Sequence, residues 1–258
     1  MNPWLLFVLF IAISALVAVG AILLANRLIP ASVGKENNST LSPFVTTVAL
    51  VYGALLGFTV VVAWEQFSSA EVNVANEAST LATMYRQTVA MPVQEQQKIR
   101  VLLRKYTTAV QGPEWKKQEE ADGGTSDKAR SAITDMYRVL GRQEPEAGAA
   151  PINGEFLGQL TVLASERNTR VLDAEPRIPW LLWCGLIFGG VLLVGLTGFM
   201  RLDSTRAHIV LSGAVAVLLG LLLFVVYCLD HPFGSQVGIT PAPFQHSLEV
   251  FDAVDSGK

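Results

Sequence analysis

Four long stretches of the sequence carry no Asp, Glu, Lys or Arg, and each is long enough to cross a lipid bilayer. They are residues 1–26, 37–64, 178–200 and 207–229. A hydrocarbon core about 30 Å thick is crossed by roughly 20 apolar residues, because an α-helix rises about 1.5 Å per residue. The pattern therefore predicts four transmembrane helices, near residues 4–26, 43–64, 179–200 and 208–228.

The segment between the second and third spans has the composition of a soluble protein. Of the chain's 19 basic and 22 acidic residues, 30 lie within residues 65–177. Apolar residues such as Ile99, Leu103 and Tyr106 recur there at helical spacing, and no run alternates convincingly as a strand would. The sequence thus predicts an all-α integral membrane protein with four transmembrane helices and a helical extramembrane domain inserted between spans 2 and 3.

This prediction divides the chain into two pairs of spans, an inserted domain and a tail. The boundaries are 1–64, 65–177, 178–229 and 230–258. Residues 65–91 contain no Pro or Gly, so the second span is expected to continue as one long helix. The tail is rich in Pro and Gly yet carries apolar side chains, so it is expected to pack on the inserted domain or on a neighbouring subunit. A short final helix is predicted at 245–254.

Breaks inside the inserted domain follow from its Pro, Gly and Asn residues. Pro92 suits the first turn of a second helix, which Gly112-Pro113 is expected to end. Gly123-Gly124 predicts a turn. Residues 141–153 predict a loop by composition, with Asn153 capping a last helix that ends near residue 174.

Composition and motifs exclude several classes of function. A net charge of -3 gives no basic stripe for nucleic acid. No paired nucleophile and base, metal-ligand spacing or nucleotide-binding fingerprint is present, so the sequence predicts no enzyme, no cofactor and no metal site. The spans hold no acidic or basic relay, which disfavours a proton-coupled transporter. A pore lined by apolar rings needs no such charges.

Glycines recur at intervals of four residues in the second and third spans. Gly53 and Gly57 form one pair, and Gly185 and Gly189 form the other. Small residues at this spacing let two membrane helices approach closely. The pattern predicts close helix packing along both spans.

Several long motifs resemble the bestrophin-like domain family, a group of mostly bacterial membrane proteins. The motifs are VALVYGALLGFTVVVAWEQF (48–67), NEASTLATMYR (76–86), EW (114–115), LDHPFGSQV (229–237) and TPAPF (240–244). More remotely, the order of spans and insert is similar to that of bestrophins. These are pentameric anion channels with four spans per subunit and a cytosolic helical domain. The Lys and Arg balance around these spans leans weakly the other way, so the side of the domain stays open.

The resemblance to bestrophins implies a hydrophobic neck on the second span. In that family three residues at i, i+4 and i+8 form it, and they correspond here to Leu50, Ala54 and Phe58. Ala54 departs from the pattern, which expects an aromatic residue and so implies a wider ring here. The acidic calcium clasp of animal bestrophins has no counterpart, so calcium gating is not implied.

Polar residues follow the neck on the same predicted helix. Glu65, Asn73, Asn76 and Glu77 are expected to line or approach a vestibule. The acids would favour cations, whereas the resemblance implies anions. The leading hypothesis is a homo-oligomeric ion channel, pentameric by analogy, in a bacterial inner membrane, with the lipid bilayer, further copies of the chain and permeating ions as its partners. The alternative is a non-conducting sensor or scaffold whose helical domain binds a partner.

Overall fold

The computed structural model describes residues 3–28, 36–120, 125–141, 150–200, 204–234 and 237–257, and within these ranges the regular structure is entirely helical. Nine α-helices follow one another in these described ranges. They are α1 (Pro3–Leu28), α2 (Glu36–Gln87), α3 (Val93–Ala109), α4 (Trp115–Glu119), α5 (Asp127–Gly141), α6 (Ala150–Asp173), α7 (Trp180–Gly198), α8 (Thr205–Asp230) and α9 (Ala242–Asp255). A 3₁₀ turn (Thr88–Ala90) follows α2, and a π turn (Val110–Glu114) joins α3 to α4.

The four predicted spans are confirmed as α1, α2, α7 and α8, which are long and apolar enough to cross a membrane. The expected extension of span 2 is also confirmed, because α2 runs unbroken for 52 residues. The chain forms two compact units. Unit 1 comprises residues 1–66, 177–230 and 235–237, and unit 2 comprises residues 67–176, 231–234 and 238–258.

Unit 1 is held together by close helix contacts at small residues. A Cβ on Gly198 of α7 would lie 3.0 Å from the backbone carbon of Ala21 on α1. A Cβ on Gly220 of α8 would collide with the side chain of Ser14. Because lipid is as apolar as the side chains it surrounds, helices in a membrane gain mainly from such close packing. These glycines are therefore required for the α1–α7 and α1–α8 contacts.

Asp230 joins the end of α8 to the beginning of α7. Its Oδ1 accepts hydrogen bonds from the backbone N–H groups of Arg177 and Ile178, both at 2.9 Å, and its Oδ2 accepts one from Trp183 Nε1 at 3.2 Å. The carboxylate is 3% exposed. It satisfies amide groups just before α7 and also lies at the positive end of that helix dipole.

Unit 2 buries one apolar core between the second half of α2 and helices α3, α5, α6 and α9. Its fully buried side chains include Leu81, Met84, Ile99, Leu103, Met136, Phe156 and Leu160. The tail contributes three aromatic rings. Phe251 stacks on Tyr85 with ring centroids 4.0 Å apart, and Phe233 and Phe244 meet the Trp115 ring edge-on.

Two local predictions within unit 2 were wrong. Gly112-Pro113 does not end the helical path, because the π turn shifts the hydrogen-bond partners by one residue and carries the chain past the N–H-deficient Pro113 into α4. The predicted loop at 141–153 is wrong at its end, since α6 already begins at Ala150, and residues 142–149 lie outside the described ranges. Asn153 is therefore no cap, and its Nδ2 donates to Glu95 Oε1 at 3.2 Å. The predicted Gly123-Gly124 turn lies outside the described residues.

We expect Asp230→Ala to lower stability, because two backbone amides and one indole N–H would lose their buried acceptor. The expected loss is about 1–3 kcal/mol, the usual cost of leaving buried donors unsatisfied. It is measured as a lower thermal midpoint of the purified protein in detergent. Glu175→Ala, which removes an exposed acid of the same charge, is the control. Equal midpoints for the two variants would contradict this role of Asp230.

Candidate functional site

One face of α2 in unit 1 is left open by the rest of the chain. Leu50 and Phe58 are each 74% exposed, and Ala54 between them is exposed as well. The opposite face is buried, with Tyr52 and Leu56 at 4% and 3% exposure. Residues four apart share a helix face. The structure thus places the three predicted neck residues together on one exposed stripe, which we call the α2 stripe.

Tyr52 fixes the rotation of α2 about its own axis. Its hydroxyl donates to the carbonyl of Leu186 on α7 at 3.0 Å. The ring lies where two glycines of α7 leave room for it, since a Cβ on Gly189 would be 2.5 Å from Tyr52 Cδ2 and a Cβ on Gly190 would be 3.0 Å from its hydroxyl oxygen. With Tyr52 held on one side, the α2 stripe must point away from α7.

The glycine spacing noted in the sequence has two different outcomes. Gly189 takes part in the predicted close contact, together with the adjacent Gly190. Among the described residues, a Cβ on Gly53, Gly57 or Gly185 would meet no atom within 4 Å apart from its own chain neighbours and the backbone of its own helix. The Gly53 and Gly57 positions therefore lie on an open part of α2 within a single chain.

The polar residues predicted for a vestibule occupy different environments. Glu65 and Asn76 are exposed, Glu65 in unit 1 and Asn76 in unit 2. Asn73 is half-buried, and its Nδ2 donates to Asp173 Oδ2 at 2.7 Å. Glu65 follows Phe58 by seven residues, two helical turns, and so extends the α2 stripe with a carboxylate.

Glu77 departs from the vestibule prediction because its side chain is fully buried within unit 2. Its carboxylate pairs with the guanidinium of Arg170, with Oε2 at 2.6 Å from Nε and Oε1 at 3.2 Å from Nη2. The Tyr106 hydroxyl also donates to Oε1 at 2.6 Å. A carboxylate that is fully buried and paired with a guanidinium in this way is not exposed to ions in a vestibule.

Arg170 lies at the centre of a larger buried network, which we call the Arg170 cluster. Its Nη2 donates to Glu114 Oε1 at 2.7 Å, and its Nη1 donates to Gln118 Oε1 at 2.8 Å. The other oxygen of Glu114 accepts from Arg167 Nη2 and from the Ser126 backbone N–H, both at 2.7 Å. Two Arg and two Glu side chains thus balance in charge, and each carboxylate is hydrogen-bonded at both oxygens.

The cluster perturbs the acid–base behaviour of its members. Burial alone would raise the pKa of Glu114, but the neighbouring Arg170 and Arg167 guanidinium groups outweigh it and lower that pKa. Burial and the Glu77 carboxylate both raise the pKa of Tyr106, which holds its phenol in the neutral, donating form. The two acids raise the pKa of Arg170 despite its burial, so it remains charged. The cluster therefore acts as a fixed structural ion network.

Sequence reasoning found one member of this cluster and misassigned it. Glu77 was grouped with Asn73 and Asn76 as one polar stripe, although 100° per residue turns it away from Asn76. The EW motif indicated no role by itself, yet Glu114 accepts from two arginines and Trp115 meets two tail phenylalanines edge-on. A signal was present in Arg167 and Arg170, two cations three apart on an amphipathic helix.

In the part of the chain that the structure describes, no group of three or more His, Cys, Asp or Glu residues is placed to hold a metal ion. The buried acids Glu77 and Glu114 instead form ion pairs with arginine side chains. The open features with functional character are the α2 stripe and the polar residues beyond it. The fold and this stripe define a four-span helical membrane protein with a helical domain inserted between spans 2 and 3.

Comparison with known proteins gives the family. The sequence model of the Bestrophin-like domain matches residues 12–244, and the chain belongs to that family. No functionally curated protein matches it.

Solved structures resemble the chain along almost its whole length. Two point variants of a bacterial bestrophin homologue from Klebsiella pneumoniae each share 14% identity with a TM-score of 0.72; the alignments cover 98% of this chain and 99% and 97% of theirs. A further membrane-protein variant shares 13% identity with a TM-score of 0.71, covering 98% of this chain and 99% of that one. At this identity the likeness establishes the fold.

Replacing Arg170 tests the importance of the cluster. Arg170→Met leaves Glu77 and Glu114 buried without their main counter-charge, and breaking a buried pair in this way costs about 3–5 kcal/mol. We expect a large drop in the thermal midpoint of the purified protein. Arg138→Met is the control, because the Arg138 side chain is 62% exposed and its ion pair is a surface pair with Asp135 three residues earlier. Equal stability of the two variants would contradict the assignment.

The lowered pKa of Glu114 predicts a specific response to acid. A carboxylate whose pKa is lower in the folded state stabilises the protein above its unfolded pKa of about 4.3, and this contribution is lost as pH falls through the folded pKa. We expect the thermal midpoint to fall as the pH is lowered below the unfolded pKa of about 4.3. Glu114→Gln should start lower and lose less over the same pH interval. An unchanged acid slope in Glu114→Gln would count against this account.

Proposed function

We propose that several copies of this chain assemble around an axis into an ion channel whose pore is lined by α2. Leu50, Ala54 and Phe58 form its hydrophobic neck. The family resemblance suggests a pentamer in a bacterial inner membrane, and it suggests anions as the permeating ions.

The observation that carries the proposal is the exposure of the α2 stripe. Leu50 and Phe58 each present three quarters of their surface to the outside of the chain, on a helix whose other face is locked by Tyr52. Rotational symmetry brings the same face of every copy to the axis. Repeated rings of Leu and Phe there would make a narrow apolar passage of the kind that gates by dewetting.

The order of large and small side chains along the α2 stripe fits the lining of a pore better than a flat helix–helix interface. Two large side chains flank the small Ala54, so the ring at that level is wider than its neighbours. A Cβ on the adjacent Gly53 or Gly57 would meet no other helix among the described residues within 4 Å. Glycines at this spacing favour the close approach of a second helix. Neighbouring copies of α2 would supply that helix.

Beyond the neck the open face becomes polar and bears on ion selectivity. Glu65 follows Phe58 by two turns and is exposed. A ring of carboxylates at this level would attract cations, which opposes the anion conduction that the family resemblance suggests. Glu77 adds nothing to such a ring, because Arg170 neutralises it in the core.

The proposal is tested by reconstitution of the purified protein in planar bilayers. We expect discrete currents, and we expect Phe58→Ala to raise conductance or open probability several-fold by widening the apolar ring. Phe188→Ala is the matched control, since Phe188 is a similarly exposed ring, 70% against 74%, on α7. Its currents should equal those of the unsubstituted protein.

Two results would refute the channel: a monomeric mass in detergent, or absence of current from correctly folded protein. Equal effects of Phe58→Ala and Phe188→Ala would refute the assignment of the neck to the α2 stripe. The first two together would favour the non-conducting sensor or scaffold. Reversal potentials under a salt gradient decide the permeating ion. An anion reversal supports the family analogy, whereas a cation reversal that Glu65→Gln weakens assigns selectivity to the Glu65 ring.

A further inference from the structure

A groove of about 270 Å³ lies among α1, α7 and α8 within unit 1. Leu9 and Ile13 of α1 and Ile187 and Val191 of α7 flank it, and all four are between 43% and 53% exposed. Ala216 of α8 lies in its lining and is 1% exposed. The groove is therefore open on one side and closed on the other.

The lining of this groove offers nothing for water to bind. Its only side-chain polar group is the Ser14 hydroxyl, which already donates to the Phe10 carbonyl at 2.8 Å. A buried water needs two to four polar partners, and an apolar cavity of even about 150 Å³ stays dry and takes up hydrocarbon instead. The groove is suited to an apolar occupant.

The position of the groove indicates which apolar occupant it meets. Its lining residues lie well inside the ends of three membrane-spanning helices, at the depth of the hydrocarbon core. The surrounding solvent there is the acyl chains of lipids. No residue of α2 lines it, so it is separate from the stripe through which copies of the chain are proposed to meet.

Two glycines form part of the groove wall. Gly190 lies against the Tyr52 hydroxyl on its other side, and Gly220 lies against Ser14. A Cβ on Gly220 would collide with Ser14, and one on Gly190 would crowd the Tyr52 hydroxyl at 3.0 Å. Both glycines therefore let a neighbouring side chain lie close to the helix backbone.

We infer that this groove binds one acyl chain of a membrane phospholipid. The occupant is recognised by shape and by apolar contact, not by its head group, so phospholipids of different head groups bind alike when their acyl chains are the same. The inference does not depend on ion conduction.

The first test counts lipids on the intact protein. The protein is exchanged into detergent containing palmitoyl-oleoyl phosphatidylethanolamine and examined by native mass spectrometry under increasing collision energy. We expect a phospholipid adduct on the unsubstituted chain that survives activation. Val191→Trp places an indole in the groove and should reduce that adduct several-fold. Leu192→Trp is the matched control, because Leu192 is the next residue, similarly exposed at 41% against 47%, and does not line the groove.

A second measurement keeps the inference testable if Val191→Trp folds poorly. The unsubstituted protein is placed in vesicles doped with phosphatidylcholine that carries a diazirine in the middle of one acyl chain, and the crosslinked peptides are mapped. We expect crosslinks concentrated at Leu9, Ile13, Ile187 and Val191. Crosslinks spread equally over other exposed residues such as Leu211, adducts of detergent alone, or equal lipid loss in both Trp variants would overturn the inference.

Discussion

The buried ion network around Arg170 is the interaction on which the extramembrane unit depends. Its members come from four helices of that unit and from two segments between helices: Glu77 from α2, Tyr106 from α3, Glu114 from the π turn, Gln118 from α4, Ser126 just before α5 and Arg167 beside Arg170 on α6. Phe244 of α9 packs its ring 5.7 Å from the guanidinium carbon of Arg170. Removing charges from water is costly, and it is offset only where geometry and charge balance are both satisfied. The three segments that carry the charges, α2, the π turn and α6, are therefore constrained to one arrangement, since a shift of any one of them leaves a buried charge unpaired.

Helix packing in unit 1 needs a different source of specificity, because the lipid around it is as apolar as its interior. Burial of hydrocarbon gives little preference for one helix arrangement over another in lipid. Specificity comes instead from a few polar bonds and from glycines that admit a neighbour. The Tyr52 hydroxyl donates to the Leu186 carbonyl, and its side chain lies against Gly189 and Gly190. The Asp230 carboxylate accepts from the backbone N–H groups just before α7. These contacts set the rotation of α2 and the beginning of α7, so they decide which residues remain open.

The fold was largely readable from the sequence because membrane spans obey one strong rule, the length of an uncharged stretch. The same reasoning predicted the long α2, since nothing between Glu65 and Met91 breaks a helix. It failed at Gly112-Pro113, where a π turn replaced a break, and at Glu77, where an acid was taken for a solvated residue. Both failures have one origin. Partners more than 30 residues away, such as Arg170, change the energy of a local backbone conformation or of a buried side chain. Which residues will be partners cannot be read from a single sequence. The α2 stripe was predicted in position through the family resemblance, whereas its exposure is a property of the packing.

Two of the exposed apolar surfaces of unit 1 differ in shape, and the shape of each indicates what it can contact. The groove among α1, α7 and α8 is hollow, so it accepts something narrow and flexible that conforms to it. The α2 stripe is convex, with Leu50 and Phe58 standing out on either side of Ala54. A lone convex stripe in lipid would need neither the Tyr52 lock on the reverse face nor an acid two turns beyond it. Both features make sense when the rotation of α2 matters, which is the case when several copies turn the same face toward one axis. In the proposed channel, the Tyr52–Leu186 hydrogen bond then carries the functional constraint. A rotation of α2 by one residue, 100°, would turn Leu50 and Phe58 away from the axis and bring different side chains to it.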